Sequence, residues 1–275
     1  YQRIYRSFFL SSVPEIDTPA DIALAAVHYA AAAKHGVKWI WEGHSFRTEG
    51  ISPPGWFYMD SRYVRTIHGK YGDGSIRTLP ELNLARWMKW MVVDGIRKFR
   101  PLYYLDYDKE ATKQFLAETY GWQWYGGHHM ENRTAYFANN YYLPRKFGID
   151  LRYSEYSALI RSGQLCRDEA VIRIAEPKPF DESILAEIKQ RVGFSDAEWK
   201  VIMEAPLSHY TQHRTYKETF ERLRPLFFSL YKLGYVTYSF YIKYCVLKKP
   251  EAVATRPSRH GAAQAEKGAG EPAAA

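Results

Sequence analysis

Val37-Lys38-Trp39-Ile40-Trp41-Glu42-Gly43-His44-Ser45-Phe46-Arg47-Thr48-Glu49-Gly50 is the stretch on which the fold turns. Its first five residues predict a strand. Lys38 alone breaks their apolar character, and a strand without polar alternation reads as one buried on both faces of a parallel sheet. The strand ends in a loop that carries two carboxylates, two hydroxyls, a histidine and an arginine between glycines. Ligands of open α/β sheets bind just outside the carboxyl ends of strands, where such loops sit. Gly43 and Gly50 allow a close backbone approach. Ser45 and Thr48 are suited to phosphate or sugar hydroxyls, and His44 stands between them and the strand. Glu42 and Glu49 can orient an amine or ammonia, hold magnesium or act as a general base. The plainer alternative is a surface loop whose polar side chains satisfy its own backbone.

Upstream, residues 2–12 read as the end of a helix. Thr18-Pro19-Ala20-Asp21 opens an alanine-rich helix, with a hydroxyl cap, proline at the first position and an acid in the first turn. It closes at Gly36. A helix followed directly by a buried strand requires further strands for pairing, and downstream only residues 101–105 share that character. The remainder is helical by periodicity and capping. Helices are predicted over 60–71, 82–99, 108–120, 132–146, 154–161, 167–174, 182–192 and 196–204, the last capped by Ser195. Residues 226–247 are long and aromatic but interrupted by Lys232 and Lys243. A buried or dimer-forming hairpin is favoured over a membrane-surface helix, and a bilayer span ranks last. Residues 250–275 combine Ala, Gly, Pro and charge without periodicity and read as a disordered tail.

The chain has 275 residues, 46% of them hydrophobic, 25% charged and 16% aromatic, with 23 Tyr and 8 Trp. This is a globular composition, and the aromatic residues are read first as helix-packing side chains. The net charge of +8 lies outside the tail, where Arg256, Arg259 and Lys267 balance Glu251, Glu266 and Glu271. A basic globular part suits anionic partners. No basic cluster with interleaved aromatics marks nucleic acid. Cys166 and Cys245 match no metal or redox spacing, which favours a reducing, cytoplasmic setting. There is no HExxH, GxGxxG or Walker A motif.

Two further constellations carry chemistry. Trp122-Gln123-Trp124-Tyr125-Gly126-Gly127-His128-His129-Met130-Glu131-Asn132-Arg133 leads a double glycine into a helix start, where backbone amides and Arg133 make a candidate anion site. Adjacent His128 and His129 cannot both face one metal ion from a helix, so no metal site is assigned. The segment from Arg152 to Arg167 sets Ser154, Ser157 and Arg161 near one helical face.

Taken together, Trp41 to Ile51, Tyr125 to Arg133, Leu143 to Asp150 and Ser157 to Ala170 resemble, in order and spacing, the N-acetyl sugar amidotransferase family. These are PP-loop ATP-pyrophosphatase-type enzymes of lipopolysaccharide and O-antigen biosynthesis. The resemblance covers roughly residues 1–205. It implies an α/β fold: the C-terminal part of an adenine-nucleotide α-hydrolase-like (PP-loop) parallel sheet, followed by a mainly α-helical region. On that reading residues 1–72 are a partial α/β domain, 73–210 a helical region, 211–249 an aromatic helical segment and 250–275 the tail.

The implied reaction adenylates the N-acetyl oxygen of a nucleotide-linked sugar with ATP and Mg2+. Ammonia from glutaminase and synthase-like partner subunits then displaces AMP and leaves an acetamidino group. Glu49 and Glu42 would be catalytic. Gly43, His44, Ser45, Thr48, Gly50, His128 and Arg133 would bind the substrate. The family's N-terminal cysteine cluster and Ser-Gly-Gly-x-Asp-Ser phosphate loop have no counterpart in these residues. The chain is therefore expected to be an N-terminally truncated fragment, inactive toward ATP alone. It would be cytoplasmic, with peripheral membrane contact through 226–247 left open and no nucleic-acid partner. The alternatives are a non-catalytic helical interaction or membrane-surface module, and another PP-loop enzyme such as a tRNA thiolase or an asparagine-synthetase-like amide former.

Overall fold

The computed structural model describes residues 1–246 apart from Pro54 and His128. The expected tail, Leu247 and the candidate residue His128 thus lie outside the described residues. Helix α1 (Gln2–Leu10) precedes α2 (Thr18–Lys34), with Asp17 at the N-cap position and Pro19 in the first turn. The cap therefore falls one residue before the expected Thr18. Helix α2 ends at His35 and Gly36, whose φ of +69° is the left-handed conformation that glycine adopts freely. Strand β1 (Trp39–Trp41) follows.

Helix α3 (Ser61–Tyr71) is capped by Asp60, whose carboxylate accepts the Tyr63 N–H. Helix α4 (Leu84–Met88) widens into a π-helical turn over Lys89–Val93 and stops. The expected helix over 82–99 is therefore too long. The apolar spacing continues to Ile96, but Asp94-Gly95 breaks the backbone, with Gly95 at φ +68°. The chain emerges as strand β2 (Arg97–Phe99). The expected strand at 101–105 begins instead as a short 3-10 turn, Pro101–Tyr103. Pro101 has no N–H to give to a ladder.

The two strands are parallel, in the register Trp39↔Arg97, Ile40↔Lys98, Trp41↔Phe99. They form the one sheet among the described residues. Ile40 packs with Tyr29, Ala32, Ile96 and Trp90 under α2. The opposite face is open: Trp39 and Trp41 are 52% and 71% exposed. The expectation of a strand buried on both faces fails here, because no described layer covers the tryptophan side.

The larger core is helical and aromatic. Phe9 of α1 makes edge-to-face contacts with Phe137, Tyr142, Phe194 and Trp199 at centroid distances of 5.2–6.1 Å, a preferred aromatic geometry. Around it lie α6 (Arg133–Phe137), α9 (Glu182–Val192) and α10 (Asp196–Glu204). Helices α7 (Arg152–Arg161) and α8 (Arg167–Ala175) pack on each other in a smaller cluster of Leu159, Leu165 and Ala170, and α5 (Lys109–Tyr120) buries no residue. Helix α6 continues as a π-helix over Ala138–Phe147, with Pro144 inside it. Proline lacks an N–H and collides with the carbonyl four residues back in an α-helix, so the wider turn accommodates it.

The aromatic C-terminal stretch folds as α11 (Lys217–Arg222), α12 (Arg224–Lys232) and α13 (Tyr238–Phe240), the last running into a π-turn, Tyr241–Val246. Phe220, Phe227 and Tyr244 are buried, and Trp87 stacks on Phe227. This hairpin joins the main core. No helix among the described residues is long and apolar enough to cross a membrane.

Candidate functional site

The carboxyl ends of β1 and β2 lie side by side, and Glu42 joins them. Its backbone N–H donates to Phe99 O at 2.8 Å. Its carboxylate accepts from Arg100 Nε at 2.9 Å and from Lys98 Nζ. Burial pushes this carboxyl up, but the two cations outweigh burial and hold it below the usual carboxylate range. Both oxygens are committed, so Glu42 is an anion fixed at the strand ends.

Beyond it the loop closes on itself. Thr48 and Glu49 donate their N–H groups to Ser45 O. The Glu49 carboxylate takes the Ser45 N–H at 3.3 Å and lies 3.2 Å from His44 Nδ1. Ser45 and Thr48 are buried, and Ser45 Oγ finds no hydrogen-bond partner among the described residues. The loop is also fixed from outside. Ser162 Oγ donates to Arg47 O at 2.8 Å, and Arg47 pairs with Asp106. At Gly50, φ is +74° and a Cβ would fall 2.3 Å from Ser154 O of α7. Only glycine permits this approach. Gly43 has open space around it and no such constraint.

Between this loop, the turn after β2 and the end of α7 is a cleft of ≈ 600 Å³. Phe46 and Tyr103 meet edge to face across 5.1 Å. Tyr104 stacks on Phe99 and is 79% exposed. Arg47 and Arg161 line the cleft with Asp106 and Ser162. The charge of Arg161 has no hydrogen-bonding or ionic partner among the described residues. The cleft offers aromatic faces beside cations, a combination suited to a planar anionic ligand. Glu42 and Glu49 are not among its lining residues.

The second predicted block is placed partly nearby. Asp21, in the first turn of α2, feels the charges of both His44 and His129. Surrounding protein and the neighbouring Asp17 push its carboxyl up to about 6, against the pull of the two histidines. Asp21 still meets solvent, so its desolvation is partial. His129 itself holds a φ of +58°, a strained conformation for a side-chain-bearing residue. Arg133 goes elsewhere: it pairs with Glu187 of α9 and pins α6 to that helix. Among the described residues, no group of three or more His, Cys, Asp or Glu could hold a metal ion. The sequence also carries no Ser-Gly-Gly-x-Asp-Ser phosphate loop.

Sequence reasoning missed Lys98, Arg100, Tyr103, Tyr104 and Asp106. The signal was the Asp94-Gly95 break, which turns the preceding helix into a strand and carries these residues to the site.

Residues 131–225 match the family model described as "LPS biosynthesis protein WbpG-like, C-terminal domain". The matched segment, roughly a third of the chain, includes Arg133 and the α7 side of the cleft. The match supports the lipopolysaccharide-biosynthesis family. No curated protein and no solved structure matches the chain.

Proposed function

We propose that this chain acts in lipopolysaccharide biosynthesis as the substrate side of an amidotransferase, which converts the N-acetyl group of a nucleotide-linked sugar into an acetamidino group. The observation that carries the reading is the cleft at the carboxyl ends of β1 and β2, where Arg47, Arg161 and exposed tyrosines line one cavity. The family match bears on α7, its far wall. On this reading the sugar's anionic carrier lies along the arginines and its base on Tyr104. Glu49, oriented by His44, takes a proton from ammonia as nitrogen attacks the adenylated acetyl carbon, and the C–O bond breaks with AMP as the leaving group. Glu42 holds the two strand ends in place and stays ionised. ATP, Mg2+ and the phosphate loop belong to a separate PP-loop α/β unit, and glutaminase and synthase-like subunits supply ammonia.

Glu49→Gln is the test. With the PP-loop unit, ATP, ammonia and a nucleotide-linked N-acetyl sugar present, amidination is expected to fall about 100-fold or more, the usual contribution of a general base. Sugar binding is expected to persist. Undiminished amidination removes Glu49 from the mechanism.

A second reading rests on the exposed Trp39 and Trp41: a non-catalytic module whose tryptophan face docks another protein. It predicts binding without any sugar product.

A further inference from the structure

A second cavity of ≈ 380 Å³ lies between α3 and residues 75–81 and shares no lining residue with the strand-end cleft. Ile22, Val64, Ile76 and Leu79 form an apolar wall. Against it stand two buried polar side chains of α3, Ser61 and His68, at 3% and 5% exposure. Ser61 Oγ and His68 Nδ1 both lack a hydrogen-bond partner among the described residues. Leaving such groups unpaired away from water is unfavourable. His68 Nε2 lies 3.2 Å from Gly74 O. A carbonyl only accepts, so Nε2 is the donor of that contact. The ring's position also requires Gly72, where a Cβ would lie 2.3 Å from Nδ1.

The charges at the rim do not balance. Arg65 is paired with Glu81, whereas the Arg77 guanidinium has no ionic or hydrogen-bonding partner among the described residues. The cavity thus combines an exposed, unpaired guanidinium, an apolar wall and a buried hydroxyl without a partner among the described residues. We propose that this cavity binds a small organic monoanion, a carboxylate on a short apolar body. Its oxygens face Arg77 and the Ser61 hydroxyl, and its body lies against Ile22, Val64 and Ile76. A compact hydrophilic dianion suits the site less, since it leaves the apolar wall uncovered and brings two charges to one cation.

The test titrates hexanoate into the isotope-labelled full-length chain and follows the Arg77 side chain and the Ser61 amide by NMR. Hexanol supplies the body without the charge, and inorganic phosphate the charge without the body. Hexanoate is expected to shift both signals and to bind more tightly than either control. Arg77→Ala should weaken it about tenfold or more, ~1.4 kcal/mol. Arg77→Lys should retain most of the affinity, and Arg161→Ala in the other cleft should leave it unchanged. The assignment is overturned if neither signal moves, if phosphate binds as well as hexanoate, or if Arg77→Ala binds hexanoate as tightly as the parent.

Discussion

Glu42 shows how one side chain can tie two strands together: it reaches Lys98, 56 residues further along the chain. Its 15% side-chain exposure places the triad with Lys98 and Arg100 between a surface pair and a buried one. Removing the Glu42 charge leaves two cations unmatched. Glu42→Gln is therefore expected to destabilise by about 1–3 kcal/mol, between the exposed and buried limits, as read by chemical denaturation. A stability equal to the parent's would make the triad ornamental. Glu15 supplies the pH dependence. It is 3% exposed, and its carboxylate accepts from the Tyr58 N–H and the Tyr63 hydroxyl at 3.0 Å each. Burial dominates and pushes its carboxyl up to about 8, against those two donors and the charge of Lys243. The folded protein thus holds this proton more tightly than the unfolded chain, where the value is 4.5. Its contribution is complete below about 4.5 and is lost as the pH rises through about 8. Glu15→Gln should flatten that decline, and denaturation midpoints at pH 5, about the lower edge of this window, and at pH 8 measure it. An identical slope in the variant would assign the pH dependence to another group. The sequence marks Glu42 as important through its place at a strand end. It cannot reveal the Lys98 and Arg100 partners, because pairing between strands is a long-range property.

At the scale of elements, local chemistry is the most legible. Asp60, Asp108 and Ser195 cap α3, α5 and α10 as their sequences predict, and Ser195 completes a reciprocal capping box with Glu198. These signals reside in four consecutive residues. The helix–strand change at Asp94-Gly95 is less legible, because the apolar periodicity runs through the break and only the backbone conformation of Gly95 reveals it. Pro144 lies inside the helix expected over 132–146, and the structure keeps that helix by widening the turn around the ring. The contact between the 43–50 loop and α7 is a tertiary constraint that the sequence states only as a glycine. Gly50→Ala must either move Ser154 or abandon the φ of +74°. It is expected to cost about 1–3 kcal/mol and to loosen the cleft's ligand, as read by Tm and nucleotide-sugar titration together. A variant with unchanged Tm and affinity would show that the approach is dispensable.

Across the whole molecule, the aromatic composition resolves into two uses. Most of it packs the helical core, from Phe9 through Trp199 to the Phe220, Phe227 and Tyr244 hairpin. A second group gathers at the two strands: Trp39 and Trp41 on the open face, Phe46, Tyr103 and Tyr104 around the cleft. The proposed function also makes a claim about the small parallel sheet. The PP-loop unit would place further strands beside β1 and β2 and its phosphate loop near the same carboxyl ends. The most direct measurement is mass spectrometry of a nucleotide-linked N-acetyl sugar incubated with ATP, ammonia and the PP-loop unit, with and without residues 1–275. The account predicts an acetamidino product only when this chain is present, and its loss in Arg161→Ala. A product that forms equally well without the chain, or no product under any combination, would contradict it.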